Sequence, residues 1–210
     1  MSSSHSVQPS PPHINRLRGL WAHGGCAFGA IATIPSVQSV QVLARSGLDF
    51  IIVDMEHGPI DVQSAHAMIA ATGGTPLVPL VRVSGKEAWQ AKIPLDLGAM
   101  GIAFPMTNHR ADAEAIVKAL RYPPAGERFW GPFYAPLRWG QTMREYLDSA
   151  DDEVLAIGVI EHHDAIAHAA EIAHTPGLDV LVIGPGDLAT SMGLHGRVEH
   201  PDVQAAIARI

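Results

Sequence analysis

The sequence predicts an α/β protein of the TIM (β/α)8 barrel type, and three observations carry that expectation. Apolar strand-like runs alternate with helix-like segments along the whole chain, at about 25–30 residues per unit, the size of a βαβ repeat. The runs Phe50–Val53, Val154–Ile160 and Val180–Ile183 are continuously apolar, as strands buried on both faces of a parallel sheet are. Each run then ends in acid or imidazole: Asp54-Met55-Glu56-His57, Glu161, and Gly184-Pro185-Gly186-Asp187. An open doubly wound sheet gathers its site at one switch point, whereas chemistry at the C-terminal ends of many strands fits a barrel.

In chain order, residues 1–13 are rich in Ser and Pro and read as a disordered tail. Residues 14–210 read as one barrel domain. Ile14–Trp21 is a short helix leading to a first strand within Cys26–Ile34. Ser36 caps a helix with Val37, Val40, Leu43 and Ala44 on one face, and Gly47 stops it. The second strand is Asp49–Glu56. Asp61 caps the helix Val62–Ala71, which Gly73-Gly74 end. The third strand, Pro76–Val83, finishes near Arg82. Lys86–Leu97 has a helical pattern that Pro94 must kink or shorten. Gly101–Met106 is the fourth strand, and Ala111–Leu120 is a helix with Asp112 near its start. A short fifth strand is expected in the aromatic, Gly/Pro-rich stretch Glu127–Pro136. A helix over Met143–Ser149 and a turn over Ala150–Glu153 lead to the sixth strand, Val154–Glu161. The helix Asp164–Ala173 follows, then the seventh strand, Asp179–Gly184, a helical turn from Asp187 to Met192, and a last helix opened by Pro201. The 210 residues end where an eighth strand would begin, so the barrel is expected to lack that strand and the last helix.

Composition narrows the function. Apolar residues make up 47% and charged residues 17% of the chain, the balance of an ordinary globular core. The net charge of −7 and the lack of a dense Lys/Arg patch argue against nucleic acid or an anionic membrane as partner. Cys26 is the single cysteine, which excludes an intrachain disulfide and fits a reducing, cytoplasmic setting. No apolar run reaches the length of a membrane span, and the N-terminus lacks the basic and apolar regions of a secretion signal.

Glu161 and Asp187 end neighbouring strands, and two carboxylates so placed can hold a hard divalent cation such as Mg2+ or Mn2+, with Co2+ also admissible. Either acid alone could equally be a helix cap or an ion-pair partner. His57, beside Asp54 and Glu56, has the setting of a general base. Arg82 ends an apolar strand, where a guanidinium suits a carboxylate or a developing enolate, or an ion pair with Asp54, Asp96 or Glu56. His162, His163 and His168 read as residues on or near a solvated helix. Gly184-Pro185-Gly186-Asp187-Leu188-Ala189 fits a loose GxGxxA, but Asp187 would repel a pyrophosphate. Lys86, Lys92 and Lys118 read as helical, so no lysine is placed for a Schiff base.

Three segments taken together, Asp49–Pro59 (DFIIVDMEHGP), Arg121–Arg128 (RYPPAGER) and Ile183–Leu188 (IGPGDL), resemble the HpcH/HpaI aldolase family, from about Trp21 onward. The resemblance implies a TIM barrel, hexameric as a rule, and a metal-dependent reaction that makes or cleaves a 2-oxo acid from pyruvate and an aldehyde. It implies Glu161 and Asp187 as metal ligands, Arg82 as the pyruvate and enolate contact, and His57 as the acid/base group with Asp54 and Asp96 as its orienting partners. It further implies that backbone around Gly186 and Asp187 meets the pyruvate carboxylate. Val159 stands where relatives often have Gln or Met, and the bulky Phe129–Tyr134 is expected to shape the aldehyde side. Oxaloacetate decarboxylation, acyl-CoA cleavage, or a non-catalytic carboxylate-binding barrel remain alternatives.

Overall fold

The computed structural model describes residues 15–210, so the expected tail lies outside the described residues. Six strands form one parallel sheet in sequential order: β1 (Gly29–Ala32), β2 (Phe50–Asp54), β3 (Val78–Arg82), β4 (Gly101–Phe104), β5 (Leu155–Ile160) and β6 (Val180–Ile183). The connections run through α2 (Val37–Leu43), α3 (Val62–Ala71), α4 (Trp89–Asp96), α5 (Arg110–Leu120) and α8 (Ala165–Ala173). These helices follow one another around one side, α2 against α3, α3 against α4, α4 against α5 and α5 against α8. The result is a singly wound, curled half-barrel rather than a doubly wound sheet.

The local choices have local causes. Ser36 Oγ accepts from Ser39 N, and Asp61 Oδ1 accepts from Ser64 N at 2.7 Å, each satisfying a free donor of the helix it opens. Asp112 Oδ2 accepts from the backbone N–H groups of Asn108 and His109, both at 2.9 Å, and so starts α5. Pro94 falls inside α4, which is only 8 residues long. Every residue of β5 is buried, and Phe104, Ile102, Leu155 and Ile157 fill the centre of the core. α1 (Arg16–Ala22) closes the N-terminal end of the sheet. Fully buried Asn15 donates to the carbonyls of Met100 and Glu153, and Arg18 reaches Asp179 at 2.8 Å.

Three expectations are corrected. The stretch Glu127–Pro136 holds no strand. β4 pairs directly with β5, from Gly101 opposite Leu155 to Phe104 opposite Gly158, so the sheet has no slot there. Gly131, at φ +158°, and Pro132 break the extended run, and α6 (Ala135–Trp139) follows. The expected sixth and seventh strands are therefore β5 and β6. Residues Ala150–Glu153 are the last turn of α7 (Met143–Glu153) rather than a turn outside it. Lys86 lies in the β3–α4 loop, not in a helix, where its Nζ pairs with Asp112 at 3.0 Å.

The long β4–β5 connection returns along α5 and then packs against α4 and α3. There Arg128 is buried beneath two tyrosines, its guanidinium carbon 4.5 Å from the Tyr122 ring centre and 5.6 Å from that of Tyr146. Its Nη2 donates to Tyr146 Oη at 2.9 Å and Asp96 Oδ1 at 3.2 Å. Two predictions follow from these contacts. Asp61→Ala lowers stability through loss of the cap alone. Arg128→Ala, which leaves the buried Tyr146 hydroxyl without its donor and Asp96 with Lys92 alone, lowers it by about 1–3 kcal/mol. Urea unfolding of the two variants measures both.

Candidate active site

The C-terminal ends of five neighbouring strand positions converge. From the β2 end come Asp54, Glu56 and His57; from β3, Arg82; from the β4 end, the backbone of Met106; from the β5 end, Glu161; and after β6, Asp187 in the first turn of α9 (Pro185–Ser191). Asp54 and Arg82 face each other in the parallel register of β2 and β3. The pairing is bidentate, Arg82 Nε to Asp54 Oδ1 at 2.9 Å and Nη2 to Oδ2 at 2.5 Å, the fork geometry that an arginine offers a carboxylate. The Asp54 side chain is fully buried. Burial would raise its carboxyl, but the Arg82 fork and the backbone N–H groups of His57 and Glu56 outweigh it and hold the group below its ordinary value.

Two further carboxylates behave in the opposite way. Glu161 is only 3% exposed; Oε1 accepts from Met106 N at 2.6 Å, while Oε2 has no partner. Burial pushes its carboxyl up; the Met106 N–H works against that, and the charges of Glu56 and Asp187 add to it. Glu56 is likewise raised, chiefly by burial, with Arg82 and His57 opposing. Its Oε2 sits 3.3 Å from Arg82 Nε and 3.7 Å from His57 Nε2. His57 Nε2 is also 3.7 Å from Asp187 Oδ2, and both side chains are about half exposed. One imidazole thus stands between two carboxylates at the mouth of the site, and one guanidinium lies beneath.

The backbone makes room for this. A Cβ on Gly184 would lie 2.9 Å from Glu161 Cβ and 3.0 Å from its Oε2, so only glycine lets α9 start this close to Glu161. Gly186, by contrast, has open space around it. Met106 has φ +54°, left-handed for a residue with a side chain, and that conformation aims its N–H at Glu161.

Of the residues expected from sequence, Asp54, His57, Arg82, Glu161, Gly186 and Asp187 gather at this face. Asp96 does not. It ends α4, away from the β3 tip, where it pairs with Lys92 at 2.6 Å and Arg128 at 3.2 Å. The ring of His57 is accordingly faced by Glu56 and Asp187; Asp54 meets only the His57 backbone, at 3.3 Å. Arg82 pairs with Asp54 and Glu56, not with Asp96. Phe129–Tyr134 lies along α4, with Gly131 against Lys92 and Asp96 and with Phe129 and Trp89 lining one cavity. Glu56 and the Met106 backbone are the participants that sequence reading did not assign. Glu56 carried a signal in its place two residues past a buried strand's acid; a backbone N–H carries none.

The donor set fits a hard divalent cation. Three carboxylates, two of them (Glu56 and Glu161) with a buried oxygen that accepts no hydrogen bond, supply oxygen ligands only, and a single guanidinium does not neutralise them. Two outcomes are expected. Because the folded state raises the Glu161 carboxyl, the metal-free fold is favoured below the ordinary glutamate value of 4.5 and loses that advantage as pH rises through the folded value. Glu161→Gln therefore raises the metal-free unfolding midpoint at neutral pH, and the gain closes in acid; thermal melts across pH measure it. Arg82→Met strands a buried Asp54 carboxylate and costs about 3–5 kcal/mol, read by urea unfolding.

Comparison with known proteins agrees with this geometry. Residues 34–210 match the HpcH/HpaI aldolase/citrate lyase family. The 4-hydroxy-2-oxo-heptane-1,7-dioate aldolase of Salmonella dublin is 38% identical over 169 residues, 80% of this chain and 64% of that protein. The hydroxypyruvate/pyruvate aldolase of Pseudomonas aeruginosa is 33% identical over 194 residues, 92% of this chain and 72% of that protein. The chain thus spans about two thirds of the length of these curated relatives. A crystal structure of a family protein from Burkholderia cenocepacia J2315 superposes with a TM-score of 0.85 at 33% identity, covering 93% of this chain and 78% of that one. The strand order, the carboxylates at the strand tips and these relatives lead to one conclusion: the chain belongs to the HpcH/HpaI aldolase/citrate lyase family.

Proposed function

We propose that the protein is a divalent-metal-dependent aldolase that makes or cleaves a carbon–carbon bond between pyruvate, as its enolate, and an aldehyde. The observation that carries this reading is the well of Glu56, Glu161 and Asp187 around His57, above the Asp54–Arg82 pair. Glu161 and Asp187 would hold Mg2+ or Mn2+, which supplies Lewis-acid polarisation of the keto oxygen when bound. The names of the relatives, pyruvate and 2-oxo acid aldolases, support the substrate class.

The chain's own residues then have separable roles. Arg82 is held rigid by Asp54 on Nε and Nη2, which leaves Nη1 as its donor for a ligand oxygen. A fixed cation there stabilises the negative charge of an enolate without having to move. His57 Nε2, half exposed between two carboxylates, is placed to take a proton from the pyruvate methyl and return it. The open space at Gly186 leaves its backbone free to meet the pyruvate carboxylate. A Schiff-base route has less support, because Lys86, the lysine nearest a strand tip, is solvated and paired with Asp112.

The reading extends to the architecture. Six sequential parallel strands are six of the eight of a (β/α)8 barrel, so closure between β6 and β1 takes two further strands, one more than the sequence pattern implied. Assembly into a homo-oligomer, a hexamer by family resemblance, and a cytoplasmic location belong to the same proposal. Among the described residues, no helix is long and apolar enough to cross a membrane.

The half-reaction can be tested without knowing the aldehyde. Pyruvate is incubated with the protein in D2O, with Mg2+ and then with EDTA, and its methyl protons are followed by NMR. Metal-dependent loss of that signal is expected, slowed at least about 100-fold by His57→Ala, the size of a lost general base. Absence of exchange from folded, metal-loaded protein would overturn the aldolase reading.

A further inference from the structure

We infer that His162, His163 and Asp164, on the loop between β5 and α8, form a second cation site, chemically distinct from the carboxylate well and suited to a borderline transition ion of the Zn2+ class. Among the described residues, this is the one group of three such side chains whose ligand atoms all lie within 4.8 Å of one another. The Asp164 carboxylate spans the two rings. Its Oδ2 is 3.3 Å from His162 Nδ1 and its Oδ1 is 3.2 Å from His163 Nε2. Ligand bonds of about 2.0–2.1 Å at tetrahedral angles put donor atoms about 3.3 Å apart, which the two nitrogen–carboxylate spacings match, while the two nitrogens lie within 4.8 Å of each other.

The loop is held in shape by local contacts, among them the Asp164 backbone N–H donating to His162 Nδ1 at 3.3 Å, which a bound ion would replace. The backbone N–H of His163 donates to Ser191 Oγ at 3.0 Å, and the two imidazoles are packed ring on ring at 4.3 Å. His162 is partly buried, and His163 and Asp164 are exposed. Glu161, one residue earlier, is buried with its Oε1 committed to Met106. Neighbours in sequence thus serve different surroundings. The start of α8 presents its positive end to the loop, which opposes a cation; the Asp164 charge offsets it.

Chemistry separates the two sites. Two imidazoles and one carboxylate with open positions are a donor set for Zn2+, Ni2+ or Fe2+, whereas the all-oxygen well prefers Mg2+ or Mn2+. Because the loop follows Glu161 directly, an ion seated there also ties down the backbone that carries the Glu161 carboxylate.

Isothermal titration with Zn2+ tests this on three variants of the full chain. The double variant Glu161→Gln/Asp187→Asn keeps one Zn2+ site, which makes the result independent of the proposed aldolase reading. His162→Ala/His163→Ala loses that site, with affinity falling by more than about 100-fold, beyond the loss seen when only a ligand's outer partner is removed. His168→Ala, in the adjoining helix α8 and outside the triad, binds as the wild type does. Co2+ absorption in the visible range gives a second readout, a tetrahedral-type spectrum that the His162→Ala/His163→Ala protein lacks. No Zn2+ binding by the Glu161→Gln/Asp187→Asn protein would overturn the proposal, as would unchanged binding by the His162→Ala/His163→Ala protein.

Discussion

Four strand separations lie between β2 and β6, yet side chains from their tips meet: His57 Nε2 is 3.7 Å from Asp187 Oδ2. In a flat sheet those tips would stand about 19 Å apart, at about 4.8 Å per strand. The curl of the sheet is therefore the constraint on which everything at this face depends. It follows from the right-handed twist of parallel strands joined by helices on one side only. Without it, Glu161 and Asp187 would be surface acids on separate strands, and His57 would face water.

Curling gathers charge as well as strands, and the molecule balances that charge unevenly. Asp54 and Arg82 neutralise each other in a buried, bidentate pair. Of the remaining acids, Glu56 and Asp187 flank a half-exposed histidine, Glu56 also reaches Arg82 Nε, and Glu161 is held by the Met106 N–H alone. Burial and mutual repulsion raise Glu161, and burial raises Glu56. A group of acids that a fold keeps together against their own repulsion is arranged for something positive. The unpartnered Glu161 Oε2 indicates where that charge would go. The strained Met106 turn and the glycine at 184 are local costs accepted to hold Glu161 in place.

Much of this was legible in the residues. A continuous apolar run ending in an acid marks a buried parallel strand whose tip bears chemistry, and β2, β5 and β6 all follow that rule. Caps at Ser36 and Asp61 were legible because a short polar side chain before an apolar face has few other uses. What failed has physical reasons. Phe129–Tyr134 has the aromatic content of a strand, but a strand needs a free edge to pair with, and β4 and β5 already pair with each other. Asp96 was linked to His57 by family resemblance. Its neighbour Lys92, four residues earlier on the same helix, was the local sign that it is engaged elsewhere. The Met106 N–H left no trace in the sequence because every non-proline residue has one. The curl itself is a property of the whole sheet and is not encoded at any single position.

The central claim is that the strand tips build a well for one hard divalent cation. The most direct measurement is Mn2+ binding followed by electron paramagnetic resonance in the absence of any substrate. The account predicts one Mn2+ per chain, lost in Glu161→Gln and in Asp187→Asn and retained in His162→Ala/His163→Ala. Mn2+ binding that survives both carboxylate substitutions would contradict it.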